Sequence, residues 1–236
     1  MKKLCKVLIV IIIIILAIAG AFIFHGYNYH KSVTDKVPID AKVLELKKEP
    51  TYVGKEKISK NYLNAVVAIE DHRFYDHGPV DFIAIARATV RNAQNKEFLE
   101  GGSTITQQVA KNLYYMEDST AKRKIAEIFT SYELENKLSK DDILEIYANI
   151  IYFGDGYYGI KEACNGYLNK EPSEITLAEA CMLAGLPNAP SVYSPTVNKK
   201  YCKSRTQKVI NDMAEYGYIK EEEAKSIDLS FIDNIK

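Results

Sequence analysis

The stretch Glu70-Asp71-His72-Arg73-Phe74-Tyr75-Asp76-His77 gathers acids and histidines at the end of an apolar run. Val66, Val67 and Ile69 come just before Glu70. An apolar wall disfavours an ionised carboxylate and raises its pKa toward the range useful for proton transfer. Asp71 beside it can support Glu70 or raise that pKa further. Phe74, His77 and Arg87 follow at spacings that bring their side chains back to one place. The competing reading is an acidic pair that only caps or solvates a helix end.

A second cluster is Gly101-Gly102-Ser103-Thr104-Ile105-Thr106-Gln107-Gln108-Val109-Ala110-Lys111-Asn112. Thr104 and Gln107 fit a capping box, which predicts a helix start behind the glycine pair. Helix starts present unpaired N–H groups and a positive dipole end, a combination suited to phosphate. Lys111 falls one turn from Gln107 and Gln108 and offers a point charge on that face. No Gly-Lys-Ser/Thr sequence is present, so this is not a nucleotide P-loop. The third cluster, Arg123-Lys124-Ile125-Ala126-Glu127, has two readings that its spacing leaves open. Arg123 and Glu127 form either a surface ion pair of little energetic weight or a second carboxylate flanked by cations for a diphosphate. His72, His77 and the distant His25 and His30 lack metal-ligand spacing, and His77 reads as a hydrogen-bonding organiser of its loop. Tyr147, Tyr152, Phe153 and Gly154 read as core and turn, with Asn149 placed to orient a loop.

Apolar residues recur at helical spacing over 61–69, 82–90, 104–115, 123–138, 141–151, 177–186 and 204–217, so the fold should be mainly α. Residues 25–55 are polar, with Pro38 and Pro50, and read as a stalk or linker with one short strand over 41–46. Before them, Lys2, Lys3 and Lys6 form a basic flank (1–6) ahead of an uncharged run over 7–24. That run is close to the ~20 residues that cross a bilayer, and the positive flank predicts a cytoplasmic N-terminus with the remainder outside. Ala17-Ile18-Ala19 resembles a signal-peptide cleavage site, but Phe22-Ile23-Phe24 extends the apolar run beyond it and favours a retained anchor. The 31 basic residues balance 31 acidic ones, which gives no charge signature for nucleic acid. Four scattered cysteines have neither disulfide-framework nor metal spacing.

In this order the motifs EDHRFYDH, GGSTITQQVAKN, RKIAE, KDDILEIYANIIYFG and AEACMLAGLPNAPSVYSP resemble the family 51 glycosyltransferases, the peptidoglycan polymerases, over roughly residues 55–225. The resemblance implies a lysozyme-like helical head with a small membrane-associated jaw, here residues 56–236, after one transmembrane helix. It implies polymerisation of lipid II, joined to a lipid-linked glycan chain, with inversion and release of undecaprenyl diphosphate. Glu70 would be the general base and Glu127 the second glutamate, acting on the diphosphate side directly or through Mg2+ or Mn2+. Arg87, Ser103, Thr104, Gln108, Lys111 and Arg123 would line the donor and its diphosphate, while Asp71, Phe74 and His77 would shape the first loop. No nucleotide or organic cofactor is implied. The membrane, cell-wall transpeptidases and division or elongation proteins would be partners.

Three features depart from the family pattern. Pro79 stands where glycine is expected, Tyr167-Leu168-Asn169-Lys170 replaces Tyr-Phe-Gly-Lys, and a frequent arginine near Ser119 is absent. The chain stops at Lys236 without room for a transpeptidase domain, so the monofunctional form is expected. Ser119-Thr120-Ala121-Lys122 has Ser-x-x-Lys letters but no downstream partner motifs. The rival functions are a lysozyme-like glycan hydrolase, which needs no diphosphate site, and an inactive membrane scaffold of cell-wall assembly.

Overall fold

The computed structural model describes residues 2–95, 101–116 and 118–236. The chain runs α1 (Lys2–Thr34), α2 (Ile39–Leu46), α3 (Lys60–Glu70), α4 (Phe82–Asn95), α5 (Ile105–Tyr114), α6 (Ala121–Lys137) and α7 (Lys140–Ile150). A two-stranded hairpin, β1 (Tyr152–Gly154) and β2 (Tyr157–Tyr158), precedes α8 (Gly159–Leu168). Then come α9 (Leu177–Gly185), the single turn α10 (Pro190–Tyr193), α11 (Lys199–Glu215) and α12 (Glu221–Ser226). The expected mainly α class holds, and each helix read from apolar spacing is present with ends shifted by a few residues.

Burial explains which helices are central. From Glu179 to Gly185 every residue of α9 is buried, and such all-round burial belongs to a helix in the middle of a core. On one side α9 packs against α3, whose Tyr62, Leu63, Ala65, Val66, Val67 and Ala68 are buried, and on the other against α11. Gly185 lets α11 come close, because a Cβ there would lie 3.0 Å from Arg205 Cγ. Side-chain caps set where α5, α7 and α9 begin: Thr104/Gln107, Ser139/Asp142 and Thr176/Glu179 each complete a reciprocal capping box.

Two expectations need correction. The short strand over 41–46 is helix α2, seated by buried Ile39 and Val43. A Pro38 start and buried apolar residues four apart suit a short helix lying on its neighbours better than a strand. The polar segment over 25–55 is also no free linker: 25–34 continue α1 without a break, and Lys137 Nζ donates to Asp40 Oδ2 at 2.6 Å. Asn149 does orient a loop, since its Oδ1 accepts from the Val53 amide at 2.7 Å and its Nδ2 donates to the Val53 carbonyl at 2.9 Å. The Asn169 departure has a local reason: it ends α8 in the left-handed region (φ 51°), where glycine is the usual residue and asparagine the best substitute.

Among the described residues one helix is long and apolar enough to cross a membrane, 6–34 within α1. Its residues 7–16 point outward along the whole length, unlike the half-buried stripe of a globular helix.

Gly159 starts α8 at φ 78°, and a Cβ there would lie 2.5 Å from the Asn149 carbonyl oxygen. Gly159→Ala is therefore expected to destabilise the fold by roughly 2 kcal/mol, read as a lower urea midpoint in detergent. An unchanged midpoint would show that this backbone yields easily.

Candidate active site

Glu70 is the last residue of α3, and its side chain is 12% exposed. Gln108, from the first turn of α5, donates through Nε2 to Glu70 Oε2 at 2.7 Å. Arg205 Nη2, from α11, stands 3.8 Å from Oε1. Oε1 is buried and has no hydrogen-bond partner among the described residues. Burial pushes the Glu70 pKa above its ordinary value; the Gln108 hydrogen bond and Arg205 charge pull it back, and Asp71 adds to the rise. The result is a carboxylate poised to take a proton but still tethered on one oxygen.

Asp71 leaves the helix and bonds in two directions. Its Oδ2 accepts from the Ile105 amide at 3.1 Å, and its Oδ1 accepts from His77 Nε2 at 2.7 Å. Burial opposes charge on His77, but the bonds to Asp71 and to the Gly78 carbonyl outweigh it and leave its pKa raised. Asp81, just ahead of α4, caps that helix by accepting from the Ile83 and Ala84 amides on Oδ1, both at 2.9 Å, and the same oxygen pairs with Arg73. Phe74 is fully buried, with Lys140 Nζ 4.5 Å over its ring. Ligand atoms of Asp71, His77 and Asp81 lie within 4.8 Å of one another, but both Asp71 oxygens and Asp81 Oδ1 already serve protein donors. The trio knots the loop. Pro79 fits this loop because no residue from 71 to 81 has a positive φ, and its carbonyl accepts from Thr104 Oγ1 at 2.8 Å.

Across the cleft from Glu70 stand the cations of α5 and α6. Glu127, at the end of the second turn of α6, is 2% exposed. Its Oε1 pairs with Arg123 and its Oε2 stands 3.2 Å from Lys124 Nζ. Lys124 Nζ also donates to Ser103 Oγ at 2.9 Å, which ties α6 to the start of α5. Burial decides between the two readings of Arg123-to-Glu127: this is no surface pair. With one cation on each carboxylate oxygen, Glu127 does not fit a divalent ion as a direct ligand.

A single cleft of about 920 Å³ joins both sides. Glu70 and Glu127 line it, as do Arg87, Ser103, Thr104, Gln108, Lys111 and Arg123. Asp71 also reaches the cleft, whereas Phe74 and His77 lie behind it and shape the loop from within. Sequence reasoning missed the contribution of α11. Arg205, Lys208, Asp212 and Tyr216 form one side, and His72 stacks on Tyr216 at 4.2 Å with 10° between the planes. Burial and the charges of Arg87 and Arg73 hold the His72 pKa down. The available signal was Arg205 itself, a cation next to Thr206 on a helix whose Cys202, Val209, Ile210 and Met213 are buried.

Fold and site together define a helical protein whose cleft sets one desolvated acid against a cationic wall. The transglycosylase family model matches residues 39–214. A Cupriavidus necator protein named as a candidate transglycosylase is 46% identical over 170 residues, covering 72% of this chain and 73% of its own. Penicillin-binding protein 1A of Neisseria gonorrhoeae is 50% identical over 152 residues, 64% of this chain and 19% of its own. A crystal structure of penicillin-binding protein 1A from Haemophilus influenzae aligns with a TM-score of 0.43 and 22% identity, over 74% of this chain and 16% of that one. This chain thus spans about a fifth of the length of the penicillin-binding proteins and most of the Cupriavidus relative. The chain belongs to the transglycosylase family and is a glycosyltransferase of peptidoglycan synthesis.

A carboxyl whose pKa rises on folding adds stability below its unfolded pKa, here about 4.5, and loses it as the pH rises through the folded value. Glu70 therefore weakens the fold at neutral pH. Glu70→Gln is expected to melt higher than wild type at neutral pH, with the gap closing as the pH falls toward 4.5. Equal melting temperatures at neutral pH would contradict the desolvation of Glu70.

Proposed function

We propose that this chain polymerises lipid II into β-1,4-linked glycan, with Glu70 as the general base. The observation that carries this reading is the single cleft pairing a buried, raised-pKa Glu70 with the cations Lys111, Arg123 and Lys124 beside the start of α5. Glu70 takes the proton from the 4-hydroxyl of the acceptor sugar as that oxygen bonds to C1 of the lipid-linked chain. The C1–oxygen bond to the diphosphate breaks on the opposite face, so the anomeric centre inverts and undecaprenyl diphosphate leaves with the electron pair. A diphosphate leaving group needs charge stabilisation rather than a strong acid. The cations and the positive end of the α5 dipole suit that need. Glu127 holds Arg123 and Lys124 in place for it, and no step runs through a metal ion.

Membrane placement follows the same logic. Residues 7–24 of α1 would span the bilayer with the basic flank in the cytoplasm and the cleft outside. Phe82, Ile83 and Val90 leave an exposed apolar face on α4, beside the cleft, that suits a jaw resting in lipid. Transpeptidases and division or elongation proteins would be the partners that use the glycan.

Purified protein with lipid II in detergent is the test. Wild type should make glycan, and Glu70→Gln should lose about 10²–10⁴-fold in rate while keeping its helical circular dichroism. Glycan made by Glu70→Gln at the wild-type rate would remove the base assignment. Cleavage of finished glycan without use of lipid II would indicate a hydrolase, and an inert wild type a scaffold.

Arg205 lowers the Glu70 pKa through its charge. Arg205→Gln should therefore move the acid limb of the kcat/KM profile to higher pH and leave the alkaline plateau closer to wild type. A uniform loss at all pH values would mean that Arg205 acts on substrate instead.

A further inference from the structure

The α1 helix does not stop at the membrane boundary; residues 25–34 continue it and lie along α6. Gly26 marks the closest crossing, where a Cβ would lie 2.4 Å from Ile125 Cγ2. One turn on, His30 is 5% exposed, and its Nδ1 is 2.9 Å from Thr130 Oγ1, which is 2.7 Å from the Tyr115 hydroxyl at the end of α5. His30 Nε2 is 3.4 Å from Glu133, and the His30 ring stacks on Phe129. Tyr27 meets Phe129 edge-on at 5.2 Å, and Lys122 Nζ lies 4.7 Å over the Tyr29 ring. A helix turns by 100° per residue, so Lys122, Ile125, Phe129 and Glu133 fall roughly opposite Arg123 and Glu127 on α6. The same helix thus faces the apolar N-terminal helix on one side and the cationic wall of the cleft on the other.

We propose that residues 25–34 form a rigid strut that sets the height and tilt of the cleft above the membrane, with Gly26 and His30 as its positioning residues. This rests on the membrane-linked substrate of the preceding section. A substrate whose diphosphate is held at the bilayer surface can be reached only at one height. A helix seated by buried hydrogen bonds and ring contacts keeps that height, whereas a flexible tether would let the cleft wander. A misplacement of about 1 Å can cost on the order of 10²-fold in rate.

The test uses the full chain with two substrates: long-chain lipid II in vesicles and a water-soluble short-chain analogue. Seven helix-forming residues inserted between Phe24 and His25 keep helical phase and seat contacts but raise the cleft by about 10 Å. Gly26→Leu and His30→Ala loosen the seat, and His30→Gln keeps a bond to Thr130. The insertion, Gly26→Leu and His30→Ala should lose roughly tenfold or more on vesicle lipid II, through KM, and stay within about twofold on the soluble analogue. His30→Gln should recover most of the loss. Unchanged vesicle activity in the insertion variant would show a flexible tether and overturn the strut. Equal loss on both substrates would reduce α1 to a support for α6 and overturn it too. A wild type inactive on both substrates would count against the preceding section instead. The strut then stands or falls on fluorescence transfer from a dye at Glu222→Cys, in a Cys5→Ser background, to acceptor lipids. One narrow distance, shifted by the insertion, supports it, and a broad distribution overturns it.

Discussion

Two consecutive carboxylates tie the end of α3 to the start of α5, and the site depends on that tie. Glu70 takes Gln108 on Oε2, and Asp71 takes the Ile105 amide on Oδ2, so the end of α3 and the start of α5 are held together. Asp71 also holds His77, and Thr104 holds the Pro79 carbonyl, so the loop over 71–81 is closed onto α5 at both ends. An α5 amide that could bind a ligand's anion is thus spent on protein. The amides at a helix start are a limited resource: here that of Ile105 anchors the loop and that of Gln107 serves the cap, so the positive character of the cleft comes from the side chains of Lys111, Arg123 and Lys124.

The electrostatics of the cleft are divided by burial. Glu70 sits where desolvation dominates, with Arg205 at 3.8 Å too distant for a tight ion pair. Glu127 is still less exposed, but a cation meets each of its oxygens. Two acids of one residue type therefore take different parts: the loosely paired one can accept a proton, and the doubly paired one orients cations. A buried carboxylate left without such partners costs stability. That cost is concentrated at Glu70, the position where a poised proton acceptor is useful.

The periodic helices and their caps were legible in the sequence because each rests on local chemistry. The Thr104/Gln107 box depends only on residues three apart, and it forms as read. Burial was less legible. Arg123 and Glu127 at an i,i+4 step look the same on a solvated helix as on one that lines a cleft, and only the packing of α5 and α1 around α6 separates the two cases. Arg205 escaped notice for a related reason: it lies more than a hundred residues from Glu70 in sequence, and α9 is what brings α11 back to the end of α3. The strand read over 41–46 failed because a six-residue apolar pattern does not distinguish a strand from a short helix lying on another helix.

The two departures in backbone-sensitive positions show how tolerance works in this fold. Asn169 replaces a glycine at a left-handed helix end, where its side chain can still be accommodated. Pro79 replaces a glycine in a loop that has no left-handed residue, so the fixed φ of proline costs nothing there and the missing N–H is not needed. What the loop requires at position 79 is the carbonyl that accepts from Thr104, and proline keeps it. The constraint on the loop is therefore a hydrogen-bond acceptor at a fixed place beside the start of α5, rather than glycine's conformational freedom.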